Sequence, residues 1–387
     1  MSIITEDIRT IFNALAPDEA RLVGGAVRDY VLNGDIADDI DIATTAHPQT
    51  VIKCLKAAGM SVIPTGLKHG TVTAVYNHKR YEITTLRTDI ETHGRHATVQ
   101  FTDQFKEDAK RRDFTFNALY MNADGKITDY FNGQDDLKAC KVRFIGAAEK
   151  RIHEDYLRIF RYFRFHDKFK QKPIFDKETL ALIQKNALHI QKLSAERITS
   201  EILKITASKH APYIWQAMVE STVTLAISLP DISLDRLYKF QELYPKDKNP
   251  FIKLVCLLKD APQFVNNKHF CFTNKQKKYM RQLLSAVAIA SVGENIKQQA
   301  YTLGKDIYID ALKIQRCLNI KNEIRIQKTI ESIELFDVPT FPISGDDLIN
   351  LGYKTGEELG HALQELENWW LLNNFPPKDA CLLKIKR

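Results

Sequence analysis

The periodicity of the apolar residues changes near residue 145, and this change limits the folds available to the chain. Before that point, segments with the alternation typical of β-strands are interspersed with segments of helical periodicity. After it, almost every segment has helical spacing, as in 154–165, 177–188, 194–206 and 273–287. The sequence therefore predicts an α+β front domain, with a mixed sheet and helices, followed by an all-helical remainder.

The front domain shows a definite order of elements. In chain order we predict a helix over 3–15, a short strand or turn and a helix that begins near Gly24-Gly25, a strand over 39–44, a helix over 47–59, a hairpin of 69–76 with 80–87, a mobile polar loop over 88–104 and a helix over 107–122. A further helix is expected to run without interruption from Glu154 to Phe165, with Ile159, Phe160 and Phe163 on its core side.

Composition argues against several classes of protein. No run approaches the roughly 18 consecutive apolar residues of a membrane span, and the N-terminal MSIITEDIRT lacks the apolar region of a secretory signal. The six cysteines are far apart and form no CxxC pair, which argues against a zinc site or a disulfide scaffold. We expect a cytoplasmic protein that does not enter a membrane. A net charge of +7 mildly favours binding to polyanions.

Two aspartates of the predicted strand 39–44 form the first candidate site. Asp39 and Asp41 share one face of a strand, and their repulsion is relieved either by solvent or by a divalent cation. Oxygen ligands without a nearby cysteine or histidine pair favour Mg²⁺ over Zn²⁺. Asp38 is expected to point away and is not counted as a ligand. Glu82 becomes a third carboxylate if its strand lies beside 39–44; the alternative is an exposed strand glutamate.

The double glycine before this strand predicts a phosphate-binding turn. Gly24 and Gly25 allow backbone N–H groups to approach a phosphate closely, and the start of a helix adds partial positive charge. Arg28, one helical turn further on, can reach the same phosphate. A Gly-Gly pair alone is a weak signal, but a phosphate-binding turn beside a metal site is a combination that fits one ligand.

Two basic segments complete the candidate site. In 106–120, Arg112 is placed to approach a nucleotide triphosphate, and Asp113 and Asn117 are one helical turn apart; a solvated basic helix is the alternative. In 154–165, an acidic residue and an arginine on one rigid helix can act as a template for a base.

The template chemistry depends on hydrogen-bond polarity. Arginine donates to N3 and O2 of cytosine or N1 of adenine, while aspartate accepts from the exocyclic amine. Uracil and guanine place a carbonyl oxygen where that amine would be, so both are disfavoured. Glu154, Arg158 and Arg161 share one stripe of the predicted helix by their i+4 and i+3 spacing, with Asp155 beside them; an ordinary salt bridge between helical turns is the alternative.

Seven motifs occur in order: GGAVRD, DIDIAT, YEITTLR, RRDFTFNAL, DLKACKVRFIG, EDYLRIFRYFRF and LSAERITSEI. Each is weak alone, but together they closely resemble the class II tRNA nucleotidyltransferases (CCA-adding enzymes) and their poly(A) polymerase relatives. The resemblance implies an α+β nucleotidyltransferase head over 1–137, followed by an all-helical neck over 138–205, body over 206–335 and tail over 336–387. It implies addition of CCA to the 3′ end of tRNA from CTP and ATP, with two Mg²⁺ ions as cofactor.

The resemblance also assigns roles to individual residues. Asp39 and Asp41 match the metal-binding aspartates, and Glu82 matches the acidic residue of the neighbouring strand. The residues that match nucleotide contacts are Gly24, Gly25, Arg28 and Asp29 in the triphosphate turn, Arg112 with Asp113 and Asn117, and the template Glu154, Asp155 and Arg158 with Arg161 and Arg164 close by. Arg95 and His96 fall in a flexible loop that helps the switch from C to A addition. Candidate RNA-phosphate contacts are Lys275, Lys277, Lys278, Arg281 and the terminal KIKR; a solvated helix face is their alternative.

Other functions remain open at this point. A poly(A) polymerase uses the same head, although a long basic extension beyond the C-terminus is missing. A non-catalytic RNA-binding protein and a small-molecule nucleotidyltransferase are further alternatives, disfavoured by the retained carboxylates and by the long helical half. The helical half lacks a histidine–aspartate pair of the metal-phosphohydrolase type, so we expect no phosphatase activity. We infer no obligate protein partner.

Overall fold

The chain divides into two compact units, Met1–Ser228 and Leu229–Arg387. A computed structural model describes residues 2–35, 39–93, 96–229, 231–258, 261–293, 295–318 and 322–385, with the backbone alone at 89–93, 96–98, 261 and 263. Strands occur only in the first part of the described chain, and helices make up the rest, so the predicted α+β fold with a helical remainder is confirmed. The finer division into head, neck, body and tail stays a prediction.

Nine strands are found in the described residues of the first unit. They are β1 (Ala20–Val23), β2 (Ile40–Thr44), β3 (Ser61–Gly66), β4 (Thr71–Tyr76), β5 (Lys79–Thr85), β6 (Arg87–His93), β7 (His96–Phe101), β8 (Leu119–Met121) and β9 (Ile127–Asp129). Seven of them form one sheet in the order β3-β4-β5-β2-β1-β8-β9, and β6 pairs with β7 separately. Within the large sheet β2 and β5 are parallel, whereas the other pairs are antiparallel.

The helices of the first unit precede, cover and follow this sheet. They are α1 (Glu6–Leu15), α2 (Gly25–Asn33), α3 (Pro48–Ala57), α4 (Phe105–Arg111), α5 (Gly133–Lys138), α6 (Ala148–Glu154), α7 (Leu157–Phe165), α8 (Lys177–Asn186), α9 (Ala195–Ala207), α10 (Ala211–Glu220) and α11 (Val223–Ala226). The predicted helices at 3–15 and 47–59, the strand at 39–44 and the hairpin after His69 are confirmed within a few residues.

Phenylalanines of the RRDFTFNAL motif join the sheet to α7. Phe114 and Phe116 are fully buried and contact Phe165 edge-on, with ring centroids 5.3 and 5.6 Å apart. Edge-to-face pairs of this kind add to the free energy gained by burial alone. As a result, the arginines on α7 are held at a fixed place relative to the sheet.

The prediction of a mobile loop over 88–104 is wrong for most of that segment. The chain instead forms the antiparallel hairpin of β6 and β7, with Arg87 opposite Phe101 and His93 opposite His96. The threonines, Ile90 and Val99 favour extended backbone, and their polar neighbours hid that tendency in the sequence. Arg95 lies outside the described residues, and His96 begins β7.

The prediction of a helix over 107–122 is also wrong beyond Arg111. The helix α4 ends at Arg111, a 3₁₀ turn follows at Thr115–Asn117, and the remainder is β8. Arg112 has extended backbone angles, and the Asp113 carboxylate accepts a hydrogen bond from the Phe114 amide at 2.9 Å. Local side-chain bonds of this type compete with helix formation.

The second unit is helical throughout its described residues. Its helices are α12 (Leu234–Leu243), α13 (Pro250–Leu257), α14 (Ala261–Phe264), α15 (Asn274–Ile289), α16 (Ile296–Leu303), α17 (Lys305–Leu318), α18 (Glu323–Glu334), α19 (Gly345–Ile349), α20 (Glu357–Leu372) and α21 (Lys378–Ile385). Trp370 lies at the centre of the C-terminal cluster, where Leu348, Leu366 and Cys381 are also buried. Within the part of the chain that the structure describes, no helix has both the length and the apolar character needed to cross a membrane.

Candidate active site

An open cleft of about 400 Å³ lies in the first unit and brings most of the predicted site residues together. Its lining consists of Gly24, Gly25, Arg28, Asp41, Arg112, Asp113, Asn117, Asp155, Leu157, Arg158, Arg161, Phe165 and Arg197. Five arginines and three aspartates in so small a space suit a ligand that carries several negative charges and a polar base.

The acidic side of the cleft begins at the junction of β2 and β5. Asp41 lies opposite Glu82 in the parallel ladder, so both carboxylates project from one face of the sheet, as predicted. Asp39 immediately precedes β2 and is exposed. Burial raises the pKa of Asp41, Glu82 and Asp39 raise it further, and Arg112 and Arg28 oppose the rise. Asp38 lies outside the described residues.

These carboxylates fit a hard divalent cation, because Asp41 carries a charge that two neighbouring carboxylates make less favourable. Among the described residues, no three histidine, cysteine, aspartate or glutamate side chains are grouped closely enough to hold a metal by themselves. An ion bound by Asp39 and Asp41 would therefore complete its coordination with oxygens from water or a ligand. Such incomplete protein coordination is the usual arrangement for Mg²⁺ beside phosphates.

The double glycine forms the turn between β1 and α2, next to Asp41. Gly24 has φ of +74°, and a Cβ atom there would lie 3.4 Å from Asp41 Oδ2 and 3.5 Å from Arg112 Nη1. Gly24 is also the N-cap of α2 and supplies no side-chain cap, so the first amides of the helix remain available to an anion. The turn thus presents backbone donors within reach of both side chains.

Arg28 is buried and already held by two neighbours. Its Nε and Nη2 each donate to the Asp29 carboxylate at 2.8 Å, and its Nη1 donates to Asn117 Oδ1 at 2.7 Å. Lys168 donates to the same carboxylate at 3.1 Å. Burial alone would raise the pKa of Asp29, but Arg28 and Lys168 together lower it. The guanidinium is therefore fixed in position at the edge of the cleft.

Arg112 enters the cleft from the end of α4. Its Nε lies 3.2 Å from both Asp108 Oδ2 and the Tyr120 hydroxyl. Tyr120 in turn donates to Asp108 at 2.6 Å. This buried arrangement orients the guanidinium towards Asp41 and leaves further N–H donors for a ligand.

Asp113 and Asn117 are neighbours, as their spacing suggested, although a 3₁₀ turn rather than an α-helix joins them. Asn117 Nδ2 donates to Asp113 Oδ1 at 3.0 Å, and Arg161 Nε donates to Asp113 Oδ2 at 2.6 Å. Burial alone would raise the pKa of Asp113, but the charge of Arg161 and these hydrogen bonds lower it. Arg161 therefore ties α7 to the segment that carries Arg112.

The template segment contains a break that the sequence did not reveal. The helix α6 ends at Glu154, Asp155 is extended, and α7 begins at Leu157, so the continuous helix predicted from Glu154 to Phe165 is wrong. The Asp155 carboxylate accepts from the Leu157 amide at 3.1 Å, a local bond that favours the break. Asp155 is thereby turned into the cleft, which it lines together with Arg158.

Hydrogen bonds to neighbouring side chains hold the template residues in place. Arg158 Nη1 donates to Glu154 Oε2 at 2.5 Å, across the break, while Glu154 is absent from the cleft lining. Asp155 Oδ2 accepts from Arg197 Nη2 at 2.7 Å. Arg197 lies in LSAERITSEI but was not singled out from the sequence, because nothing in its spacing shows that α9 faces the break. Phe165 and Leu157, at the two ends of α7, also line the cleft and were not singled out from the sequence.

Several predicted residues lie away from the cleft lining. Arg164 donates to the buried Glu201 at 2.6 Å. Glu82 and Asp39 are exposed beside Asp41. In the second unit, Lys275, Lys278 and Arg281 on α15 are exposed and Lys277 is half-buried, so this helix presents a basic surface.

Comparison with known proteins gives the same family over most of the chain. A family model for the poly(A) polymerase head domain matches residues 20–143. A model for an RNA- and SrmB-binding site of polymerase A matches 174–234, and tRNA nucleotidyltransferase domain 2 matches 247–385. The mitochondrial CCA tRNA nucleotidyltransferase 1 of Homo sapiens is 35% identical, over 100% of this chain and 91% of that protein.

The chain belongs to the tRNA nucleotidyltransferase and poly(A) polymerase family. Another member, the CCA-adding enzyme of Lactobacillus helveticus, is 30% identical over 90% of this chain and 88% of that protein. The crystal structure of the Bacillus stearothermophilus CCA-adding enzyme in complex with CTP is similar, with a TM-score of 0.74 and 26% identity. The structural match covers 97% of this chain and 94% of the Bacillus stearothermophilus chain. The resemblance found in the motifs is thus confirmed.

Proposed function

We propose that this protein adds CCA to the 3′ end of tRNA, using CTP and ATP and releasing pyrophosphate. The observation that carries the proposal is one cleft that joins Asp41, beside Glu82, to the Asp155–Arg158 pair. The first group suits metal-assisted phosphoryl chemistry, and the second suits reading of a base that has an exocyclic amine. The relatives named as CCA tRNA nucleotidyltransferases support the same activity.

The chain's own residues are proposed to hold the triphosphate. The first amides of α2 and the guanidinium groups of Arg28 and Arg112 would neutralise and orient the phosphates. The tRNA 3′-hydroxyl then attacks the α-phosphate in line, the bond from that phosphorus to the bridging oxygen breaks, and pyrophosphate leaves. Positioning and charge neutralisation supply most of the catalysis in such a reaction.

We assign Asp39 and Asp41 to Mg²⁺, in a two-metal site, with Glu82 as a supporting carboxylate. When bound, Mg²⁺ would lower the pKa of the attacking hydroxyl and compensate charge on the phosphates. The chemistry of the oxygen donors favours this ion. Burial and the neighbouring Glu82 and Asp39 raise the pKa of Asp41, and a bound cation would offset that effect.

The base would be selected by Asp155 and Arg158. Arg158 would donate to the ring nitrogen of cytosine or adenine, while Asp155 would accept from the exocyclic amine. Arg197 and the Leu157 amide occupy one lone pair on each carboxylate oxygen of Asp155. Each oxygen has another lone pair for the base.

The test uses a tRNA transcript that lacks its CCA end, with Mg²⁺ and CTP alone, ATP alone or both, and reads product length at single-nucleotide resolution. We expect two additions with CTP and one more when ATP is present. A long ladder with ATP alone would make the protein a poly(A) polymerase, and a protein that extends nothing would be a non-catalytic RNA-binding protein.

Two variants separate the two halves of the site. Asp41→Asn should abolish extension with every nucleotide. Arg158→Ala should retain extension while losing the preference for CTP over UTP and for ATP over GTP by roughly tenfold or more, because a buried unpaired hydrogen-bond group discriminates by that amount. If Arg158→Ala kept full selectivity, the template assignment would be wrong.

The cytoplasmic location stays a prediction, to be tested by fractionation.

A further inference from the structure

Arg151 on α6 is a buried arginine that the proposed chemistry does not use. Its side chain is 9% exposed, yet it lies between the two halves of the site. Its Nη2 donates to the backbone oxygens of Arg111 and Arg112, each at 2.6 Å. Its Nη1 donates to the Glu154 carboxylate. A single guanidinium therefore contacts two segments that are about 40 residues apart in the chain.

The two backbone oxygens belong to the end of α4. Carbonyl groups at a helix C-terminus lack intrahelical partners, and a cation there is favourable. Arg151 supplies both the hydrogen bonds and the charge, so it fixes the backbone from which the Arg112 side chain enters the cleft. Arg112 is one of the residues proposed to hold the triphosphate.

The other contacts of Arg151 control Arg158. Glu154 accepts from both arginines, and Arg158 Nη1 also donates to the backbone oxygen of Arg151 at 2.8 Å. These bonds to Arg158 use only one of its nitrogens, so its other donors can face the cleft that it lines. Arg151 thus orients the base-reading arginine through a carboxylate and through its own backbone.

We propose that Arg151 is a positioning residue that couples base selection to phosphate placement. The inference rests on the proposed function and deepens it: a base seated correctly on Arg158 and a triphosphate held by Arg112 share one support. Loss of that support should impair both selectivity and turnover, whereas loss of a template residue alone should impair mainly selectivity.

The test compares Arg151→Met, Arg151→Lys and the wild-type protein in single-nucleotide addition to tRNA lacking CCA. For Arg151→Met we expect kcat with CTP to fall about tenfold or more, with KM changed less than about threefold, because misplacement costs most in the transition state. The preference for CTP over UTP should fall by about tenfold as well. Arg151→Lys should be intermediate, since it keeps the charge but replaces the planar fork of the guanidinium by a single compact ammonium.

Lys150→Met is the matched control, because it removes the same charge from the same helix at an exposed position. It should leave kcat and selectivity unchanged within about twofold, as expected for a surface substitution. If Arg151→Met lowered only the unfolding temperature, or only one of the two kinetic quantities, the coupling proposal would be overturned.

Hydrogen exchange distinguishes failure of this inference from failure of the proposed function. In Arg151→Met, amide exchange should increase in both 110–114 and 156–161, with no such change in Lys150→Met. This result is expected even if the wild-type protein extends no tRNA. An increase in only one of the two segments would show that Arg151 supports that segment alone and would refute the coupling.

Discussion

At the residue scale, Asp41 carries a charge that the folded protein does not fully compensate. Burial raises its pKa, and Glu82 and Asp39 add to the rise despite the opposing charges of Arg112 and Arg28. An acid whose folded pKa exceeds its unfolded pKa weakens folding as the pH rises through that interval. At neutral pH ionised Asp41 therefore destabilises the metal-free protein.

Asp41→Asn should consequently raise the thermal unfolding midpoint at pH 7 in the presence of a chelator. Mg²⁺ should stabilise the wild-type protein and have little effect on Asp41→Asn, because a ligand that binds only the folded state raises its stability. The measurement is thermal unfolding with and without Mg²⁺. Asp135→Asn, at an exposed aspartate of α5, is the control and should leave the response to Mg²⁺ intact. An equal response in Asp41→Asn would argue against the metal assignment.

Gly24 and Gly25 provide a second test at the same scale, because they are adjacent but conformationally different. Gly24→Ala should lower the free energy of unfolding by about 1–3 kcal/mol, since φ is +74° and an alanine there is strained. Its new methyl group would also lie between Asp41 and Arg112 and should impair nucleotide binding. Denaturant unfolding and CTP binding measure the two effects.

Gly25→Ala is the matched control for that substitution. Its added methyl group would meet only Arg28 Nη2, at 3.6 Å, and the position lies in the first turn of α2. Alanine is favoured over glycine in a helix by roughly 0.5–1 kcal/mol, so stability should be unchanged or slightly higher. Equal losses in the two variants would contradict the conformational explanation.

At the scale of elements, Asp108 joins α4 to the sheet. Burial alone would raise its pKa, but Arg112, Arg111 and the Tyr120 hydroxyl lower it to about 2. The stabilisation from this lowered pKa is fully present above the unfolded value of 3.8 and is lost as the pH falls towards about 2. Asp108 is 1% exposed, so solvent screens these contacts little.

Asp108→Asn should therefore lower the free energy of unfolding at pH 7 by about 2 kcal/mol. The difference from wild type should shrink as the pH falls from about 4.5 to 2, which urea unfolding at several pH values would measure. Asp135→Asn should change stability by less than about 0.5 kcal/mol at any pH, as exposed ion pairs do. A loss in Asp108→Asn that did not vary with pH would point to packing rather than charge.

The sequence predicted those elements whose periodicity is undisturbed by their function. The alternation in 39–44 and in the hairpin after His69 predicted the strands that carry Asp41 and Glu82, but it left open whether those strands are neighbours. The parallel ladder places the two residues opposite each other. By contrast, the breaks at Arg112 and Asp155 depend on side-chain bonds to Phe114 and Leu157 that a helical pattern of apolar residues does not reveal. The two breaks are the points where side chains turn into the cleft.

The sequence also did not predict contacts between residues that are far apart in the chain. Arg197 is 42 residues from Asp155, and Arg151 is about 40 residues from the carbonyl groups that it contacts. Arg197 lies on the amphipathic α9, whose apolar stripe predicts burial but not the identity of the neighbour. Arg151 lies on the short α6, where Ile152 is the only buried apolar residue. The site's charged residues were thus predictable from motifs, whereas the supports that orient them required the tertiary structure.

At the scale of the whole molecule, the net charge of +7 matters through its distribution. In the second unit, α15 carries the exposed residues Lys275, Lys278 and Arg281 within two helical turns. A protein that neutralises RNA phosphates releases counterions, so its affinity falls as salt rises. We therefore propose that α15 supplies part of the affinity for tRNA without selecting the nucleotide that is added.

The last prediction follows from that distribution. Replacing Lys275, Lys278 and Arg281 by glutamine should weaken tRNA binding and reduce the slope of log affinity against log salt by roughly 0.7–0.9 for each phosphate that is no longer neutralised. The control replaces Lys248, Lys328 and Lys354, which are exposed elsewhere in the same unit, and should reduce the slope less. Binding titrations across salt concentrations measure both triple variants. CTP-over-UTP selectivity should remain that of the wild type in each, because neither set lies in the cleft. Equal slopes for the two triple variants would mean that α15 acts only through net charge, and they would refute the proposed binding of RNA by this helix.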